Sequence, residues 1–112
     1  MPADRLTLML PVPDLEAAVA YWQDVLGTKP TFVDGDRWAQ FDHAGVRLAL
    51  AGSDRVSDQA GTMLKVTDLD EACGRLRADG FEVGEPEAGP HERRAVAVSP
   101  GGWPLVLYSP LP

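Results

Sequence analysis

The side chains best suited to proton transfer near neutral pH are His43 and His91, with Tyr108 and Asp42 as further candidates for acid–base work. No pair of them stands at a spacing that brings the two together, so metal-free acid–base catalysis is a secondary reading. His43 closes a strand-like run beside a turn, and His91 lies in a Gly-Pro-His-Glu loop; for each, a turn or surface role and a ligand contact both stay open. A divalent metal needs about three or four N, O or S ligands converging on one point. Cys73 is the one cysteine, there is no Cys-x-x-Cys or Cys/His cluster, and the thiol reads as a small buried apolar group.

The rest of the composition bounds the class. With 112 residues, 45% of them hydrophobic and 24% charged, the chain is expected to form one globular domain and not a disordered one. Its net charge of −7 opposes binding to a phosphate backbone, so no nucleic-acid partner is expected. The apolar runs fall short of the roughly 20 residues a membrane helix requires. The start Met-Pro-Ala-Asp-Arg has no leader-like hydrophobic stretch, and a cytoplasmic protein with no membrane partner is the expectation.

The elements that must position these residues come in two copies. Leu10, Val12, Asp14, Leu15 and Ala18 recur 54 residues later as Leu64, Val66, Asp68, Leu69 and Ala72. In each copy an alternating strand runs into an aspartate able to cap a helix. Apolar residues at helical spacing follow: Leu15, Ala18, Val19, Trp22 and Leu26, then Leu69, Ala72, Cys73 and Leu76. Trp22 lies on that stripe and reads as core packing. Gly27 and Gly80 supply left-handed stops.

Three strand-like runs follow each helix: 31–35, 37–43 and 46–51 in the first copy, 81–85, 92–99 and 104–109 in the second. The pattern predicts an α+β domain of two βαβββ modules, module one at 1–52 and module two at 61–112, joined by a polar linker at 53–60.

The repeat, together with the phrase Val-Pro-Asp-Leu-Glu-Ala-Ala-Val-Ala-Tyr-Trp-Gln-Asp-Val-Leu-Gly (12–27), resembles the vicinal oxygen chelate superfamily. That superfamily includes glyoxalase I, extradiol dioxygenases, fosfomycin-modifying enzymes and bleomycin-resistance binding proteins. The resemblance implies a curved mixed sheet with helices on its convex face and a ligand on its concave face. It also implies metal ligands on the first and last strands of each module in the members that use a metal. Here those positions hold Thr7, seven residues before Asp14, and the matching Gly61. The last strand of module one, Arg47-Leu48-Ala49-Leu50-Ala51, has neither acid nor imidazole. In module two, Val106 stands where metal enzymes of the superfamily often have glutamate in Gly-Asn-x-Ile-Glu-Leu. No metal and no cofactor is therefore expected.

Strand parity then divides the remaining residues between two faces. If the larger side chains pack on the helices, the opposite face is paved with Ala49, Ala51 and Gly61, with Ala95 and Ala97 extending it, and such a surface leaves room. Around it parity places Met9, Met63, Trp38, Gln40, Val106 and Tyr108. Adaptable thioethers and flat aromatic faces suit a mostly apolar, polycyclic ligand; Trp38 and the methionines could equally fill the gap or bury at a dimer interface. Arg47, Lys65 and Arg94 are candidate polar anchors at the rim, and Trp103 is a candidate lid or a packed turn residue.

Thr7, Met9, Trp38, Gln40, Arg47, Ala49, Met63, Trp103, Val106 and Tyr108 thus form the expected ligand-binding set, with no catalytic residue assigned. The expected function is metal-free sequestration of a hydrophobic or aromatic antibiotic of bleomycin, mitomycin or anthraquinone-enediyne type. By resemblance the protein is a homodimer, with or without exchange of a strand or module. The competing readings are an enzyme and an accessory domain that makes only protein contacts.

Overall fold

The structure, a computed structural model, describes residues 3–111. Two compact units make up the described residues, 7–60 on one hand and 61–111 with 3–6 on the other. Both combine strands with one helix, so the fold class is α+β, as the repeat predicts.

The Thr7–Ala60 unit contains most of β1 (Arg5–Pro11), then α1 (Leu15–Leu26), β2 (Phe32–Asp34), β3 (Trp38–His43) and β4 (Val46–Ala51). Its strand order is β2-β3-β4-β1, antiparallel except for the β4/β1 pair, which is parallel. The β3–β4 hairpin turns on Ala44 and Gly45, both at positive φ (50° and 81°), a turn hand that matches strand twist. Asp14 begins α1 from an extended backbone, its carboxylate accepting from Ala17 N at 3.1 Å, and Gly27 ends the helix at φ 69°. Leu15, Ala39, Phe41, Leu48 and Leu50 form the core beneath it, with Leu10, Val19, Trp22 and Leu26 packed around them.

The 53–60 segment is not a slack tether. Arg55 donates from Nε to Gly52 O (3.0 Å), from Nη2 to Val12 O (2.6 Å) and from Nη1 to Asp58 (3.3 Å), which ties the segment to the end of β1.

The second unit contains β5 (Gly61–Lys65), α2 (Leu69–Ala78), β6 (Glu82–Val83), β7 (Glu87–Ala88), β8 (Glu92–Val98) and β9 (Pro104–Pro110). Its order is β5-β9-β8-β6, with β7 also on β8 and the β5/β9 pair parallel. Asp68 caps α2 by accepting from Glu71 N at 3.1 Å. Asp79 closes the helix with φ −89°, and the left-handed residue is the following Gly80 at φ 92°.

The single run expected over 81–85 is only two residues long, and β7 was not anticipated. The register on β8 slips by one residue between β6 and β7, across Gly84–Pro86, where proline has no N–H to give the ladder.

The parity rule holds in both units, but the expectation for Ala95 and Ala97 does not. Both are buried with α2, in a core of Val66, Leu69, Ala72, Cys73, Leu76, Leu105 and Leu107. Ala95 pairs with Leu107 and Ala97 with Leu105, so β9 brings the bulk on the helix side and β8 the small residues between. Side-chain size on one strand does not reveal which face is covered; the neighbouring strand decides. Among the described residues no helix is long and apolar enough to cross a membrane.

Removing either cap carboxylate, as Asp14→Ala or Asp68→Ala, should lower unfolding free energy by about 1 kcal/mol, read from urea denaturation midpoints at unchanged slope. Burial raises the Cys73 thiol above its ordinary range, with the Arg77 charge opposing in part. The unfolded thiol ionises first as pH rises past about 8.5, so stability should decline from there upward. A Cys73→Ala variant should show less of that decline in melts between pH 8 and pH 10.

Candidate functional site

Because α1 covers the face bearing Leu10, Phe41, Leu48 and Leu50, the alternate residues of the Thr7–Ala60 sheet fall on the helix-free face. Strand register arranges them in rows. Asp42, Arg47 and Thr7 form one row, Phe32, Gln40, Ala49 and Met9 the next, and Asp34, Trp38, Ala51 and Pro11 the third. Thr7, Met9, Trp38, Gln40, Arg47 and Ala49 are therefore brought together on one face, as parity predicts.

The exposure of these rows differs from the open, alanine-paved recess read from sequence. Ala49 is 0% and Ala51 1% exposed, Met9 and Thr7 are also buried, and Trp38, Gln40 and Arg47 keep partial access. An alanine between longer neighbours at ladder spacing is shielded by them, so the accessible part of this face is its β2–β3 side and the polar row.

That polar row is built from ionic bonds that spacing alone did not reveal. Arg47 Nε donates to Asp42 Oδ1 at 2.9 Å and Nη2 to Asp42 Oδ2 at 3.2 Å, a forked pair across the β3/β4 ladder. Thr31 Oγ1 donates to the same carboxylate at 2.8 Å. The signal was present in principle, since Asp42 and Arg47 flank a two-residue hairpin turn at His43–Val46 and so must face each other. Arg47 is thus braced by Asp42, and Asp42 is engaged as an acceptor.

Beside this row the indole Nε1 of Trp38 donates to Gln40 Oε1 at 3.0 Å. A strand spacing of two residues, both on one face, is the sequence signature of that contact.

In the second unit, β5 and β9 place Met63 opposite Val106 and Lys65 opposite Tyr108, and β8 continues the rows with Val96 and Arg94. Met63 and Val106 are buried, while Lys65, Tyr108 and Arg94 are partly exposed. None of these belongs to the α2 core, so Met63, Val106 and Tyr108 share that unit's helix-free face. Trp103 does not join them. Its ring meets Phe81 edge-on at 5.9 Å, and Phe81 packs against the α2 core. The Ser99 hydroxyl, accepting from Trp103 N at 3.1 Å, fixes the turn that puts it there.

His91 and His43 are both exposed, at a loop and at the end of β3. A surface pocket of about 560 Å³ lies instead at the start of α1, lined by polar groups including Glu16, Asp36, Ser53 and the tethered Arg55.

The strand positions that carry metal ligands elsewhere can be tested for donors. Thr7 offers a neutral hydroxyl, Ala49 and Val106 offer nothing, and Gly61 lacks even the space for a side chain. A Cβ on Gly61 would stand 2.5 Å from Pro104 O and 2.8 Å from Pro104 Cγ. Among the described residues no three His, Cys, Asp or Glu side chains converge. This donor set does not fit a divalent metal.

The architecture and the pattern of site residues define a βαβββ-repeat protein of the glyoxalase type. The family model for the Glyoxalase/Bleomycin resistance protein/Dioxygenase superfamily matches residues 5–107, and the chain belongs to that family. It is 32% identical over 107 residues to an uncharacterized protein of Mycolicibacterium smegmatis, covering 93% of this chain and 91% of that one. It is also 26% identical over 109 residues to a manganese-dependent 2,3-dihydroxybiphenyl 1,2-dioxygenase of Geobacillus genomosp. 3, matching 90% of this chain but only 35% of the dioxygenase. A solved superfamily member from Vibrio splendidus 12B01 shares the fold with a TM-score of 0.70 at 18% identity, over 94% of this chain and 97% of that one. The family name spans enzymes and drug-resistance proteins alike.

Gly61→Ala should cost at least about 2 kcal/mol, because the new methyl meets backbone and a proline ring and not a yielding side-chain tip. A thermal melt compared with that of Gly74→Ala, at an exposed helical glycine with open space around it, checks this.

Proposed function

We infer that the protein binds a small, mostly apolar aromatic molecule on a helix-free strand face and holds it without metal and without chemical change. The observation that carries this reading is the residue set at the ligand positions of each unit taken by itself: Ala49 opposite the thioether of Met9, with Trp38 on the same face, in one, and Val106 opposite the thioether of Met63, with Gly61 on the same strand, in the other. Groups that could bind and polarise a reacting oxygen are missing from those positions, whereas groups that stack on and mould to a flat apolar body are present. The chemical class is that of a bleomycin-, mitomycin- or anthraquinone-enediyne-like antibiotic, and the biological consequence is resistance by sequestration. The active species in this reading is a homodimer with two equivalent sites.

Trp38 lies on the ligand-facing side in this reading, so binding should change tryptophan emission. Titration with a panel of these drugs should give at least one Kd below about 100 μM, and the drug recovered after long incubation should be unchanged by mass spectrometry. Absence of binding across the panel would remove sequestration, and a modified product would establish the enzymatic alternative. Sedimentation equilibrium reads the dimer independently.

A further inference from the structure

On the helix-free face of β3, one hydrogen bond decides how a polar group is presented. The indole Nε1 of Trp38 lies 3.0 Å from Gln40 Oε1. An indole N–H only donates, so the amide oxygen is the one atom of Gln40 that can meet it. The amide is therefore turned, and its Nε2 with two protons points away from the ring.

Among the described residues no hydrogen bond takes up those protons. The ladder neighbours explain why. Gln40 lies between Ala49, whose methyl carries no acceptor, and Phe32, an exposed phenyl ring that has none either. The acceptor two residues along on the same face, Asp42, takes its bonds from Arg47 and from Thr31 Oγ1. A part-buried amide with both donors unclaimed sits beside a partly exposed aromatic plane.

We propose that the Gln40 amide selects the ligand: the site prefers a flat aromatic molecule with a carbonyl acceptor at its edge, a quinone or an aryl ketone, over the hydrocarbon of the same shape. Trp38 acts as a positioning residue for the amide while offering its face for stacking. The inference rests on the binding reading above and adds the acceptor requirement to it.

The test uses 9-fluorenone and fluorene, which share a planar skeleton and differ in the carbonyl. Their affinities for the wild-type protein, Q40L and Q40E are measured by equilibrium dialysis, with folding of each variant checked by thermal melting. Wild type should bind the ketone about three- to ten-fold more tightly than the hydrocarbon, the scale of one net hydrogen bond. In Q40L the ratio should fall to about one. Q40E keeps an oxygen for the indole but presents no donor, so its ratio should fall to one or below. The infrared carbonyl band of bound fluorenone should shift to lower frequency in wild type and not in Q40E.

Equal binding of the two probes to wild type, or a ketone preference that survives in the folded variants, would overturn the proposal. So would wild type that binds neither probe. In that last case, binding of any drug from the panel removes only the role of Gln40, whereas binding of none removes the sequestration reading with it.

Discussion

Leu48 and Leu50 on β4, and Leu105 and Leu107 on β9, have to be shielded from water, and one helix per module is what shields them. Each leucine side chain so buried is worth roughly 1.5–3 kcal/mol relative to exposure. Because successive strand residues face opposite ways, seating these leucines under α1 and α2 commits every alternate residue to the other face. A register slip of one residue would exchange the two sets, exposing the leucines, so the same constraint that builds the core also holds Met9, Gln40 and Ala49 in one row.

The helix caps make that commitment local as well as global. Asp14 and Asp68 each stand three residues past the end of the first strand and immediately before the helix, so the chain passes from sheet to helix at a defined point. Arg55 then gathers Gly52, Val12 and Asp58, which holds the segment after β4 against the end of β1. The result is a strand platform whose helix-free residues stand in rows apart from the helix-side leucines. Alanine, glycine and valine on those rows sit with the leucines in place behind them. At Gly61 the approach of Pro104 leaves no room for a side chain.

Much of this was legible in the linear sequence. The internal repeat, the capping aspartates, the left-handed Gly27 and the alternation of β4 are local signals, each set by a few neighbouring residues. Legibility failed where two strands had to be known together. Ala95 and Ala97 looked like the floor of a recess when β8 was taken alone, yet they fit between leucines of β9 under α2. Trp103 reads from sequence as either a lid or a packed turn residue, and its turn directs it onto Phe81. The short strand β7 arises only because β8 is long enough to accept a second partner after the Gly84–Pro86 slip.

What the sequence by itself determined is the α+β repeat and the residue types at each ligand position, because periodicity, capping and the absence of donor atoms are properties of neighbours along the chain. What only the tertiary structure decided is the state of those residues: Ala49 and Ala51 sealed, Arg47 forked onto Asp42, and the Gln40 amide turned by Trp38. Burial and hydrogen bonding depend on which atoms of other strands stand within a few ångströms, and strand register, not order along the chain, sets that distance.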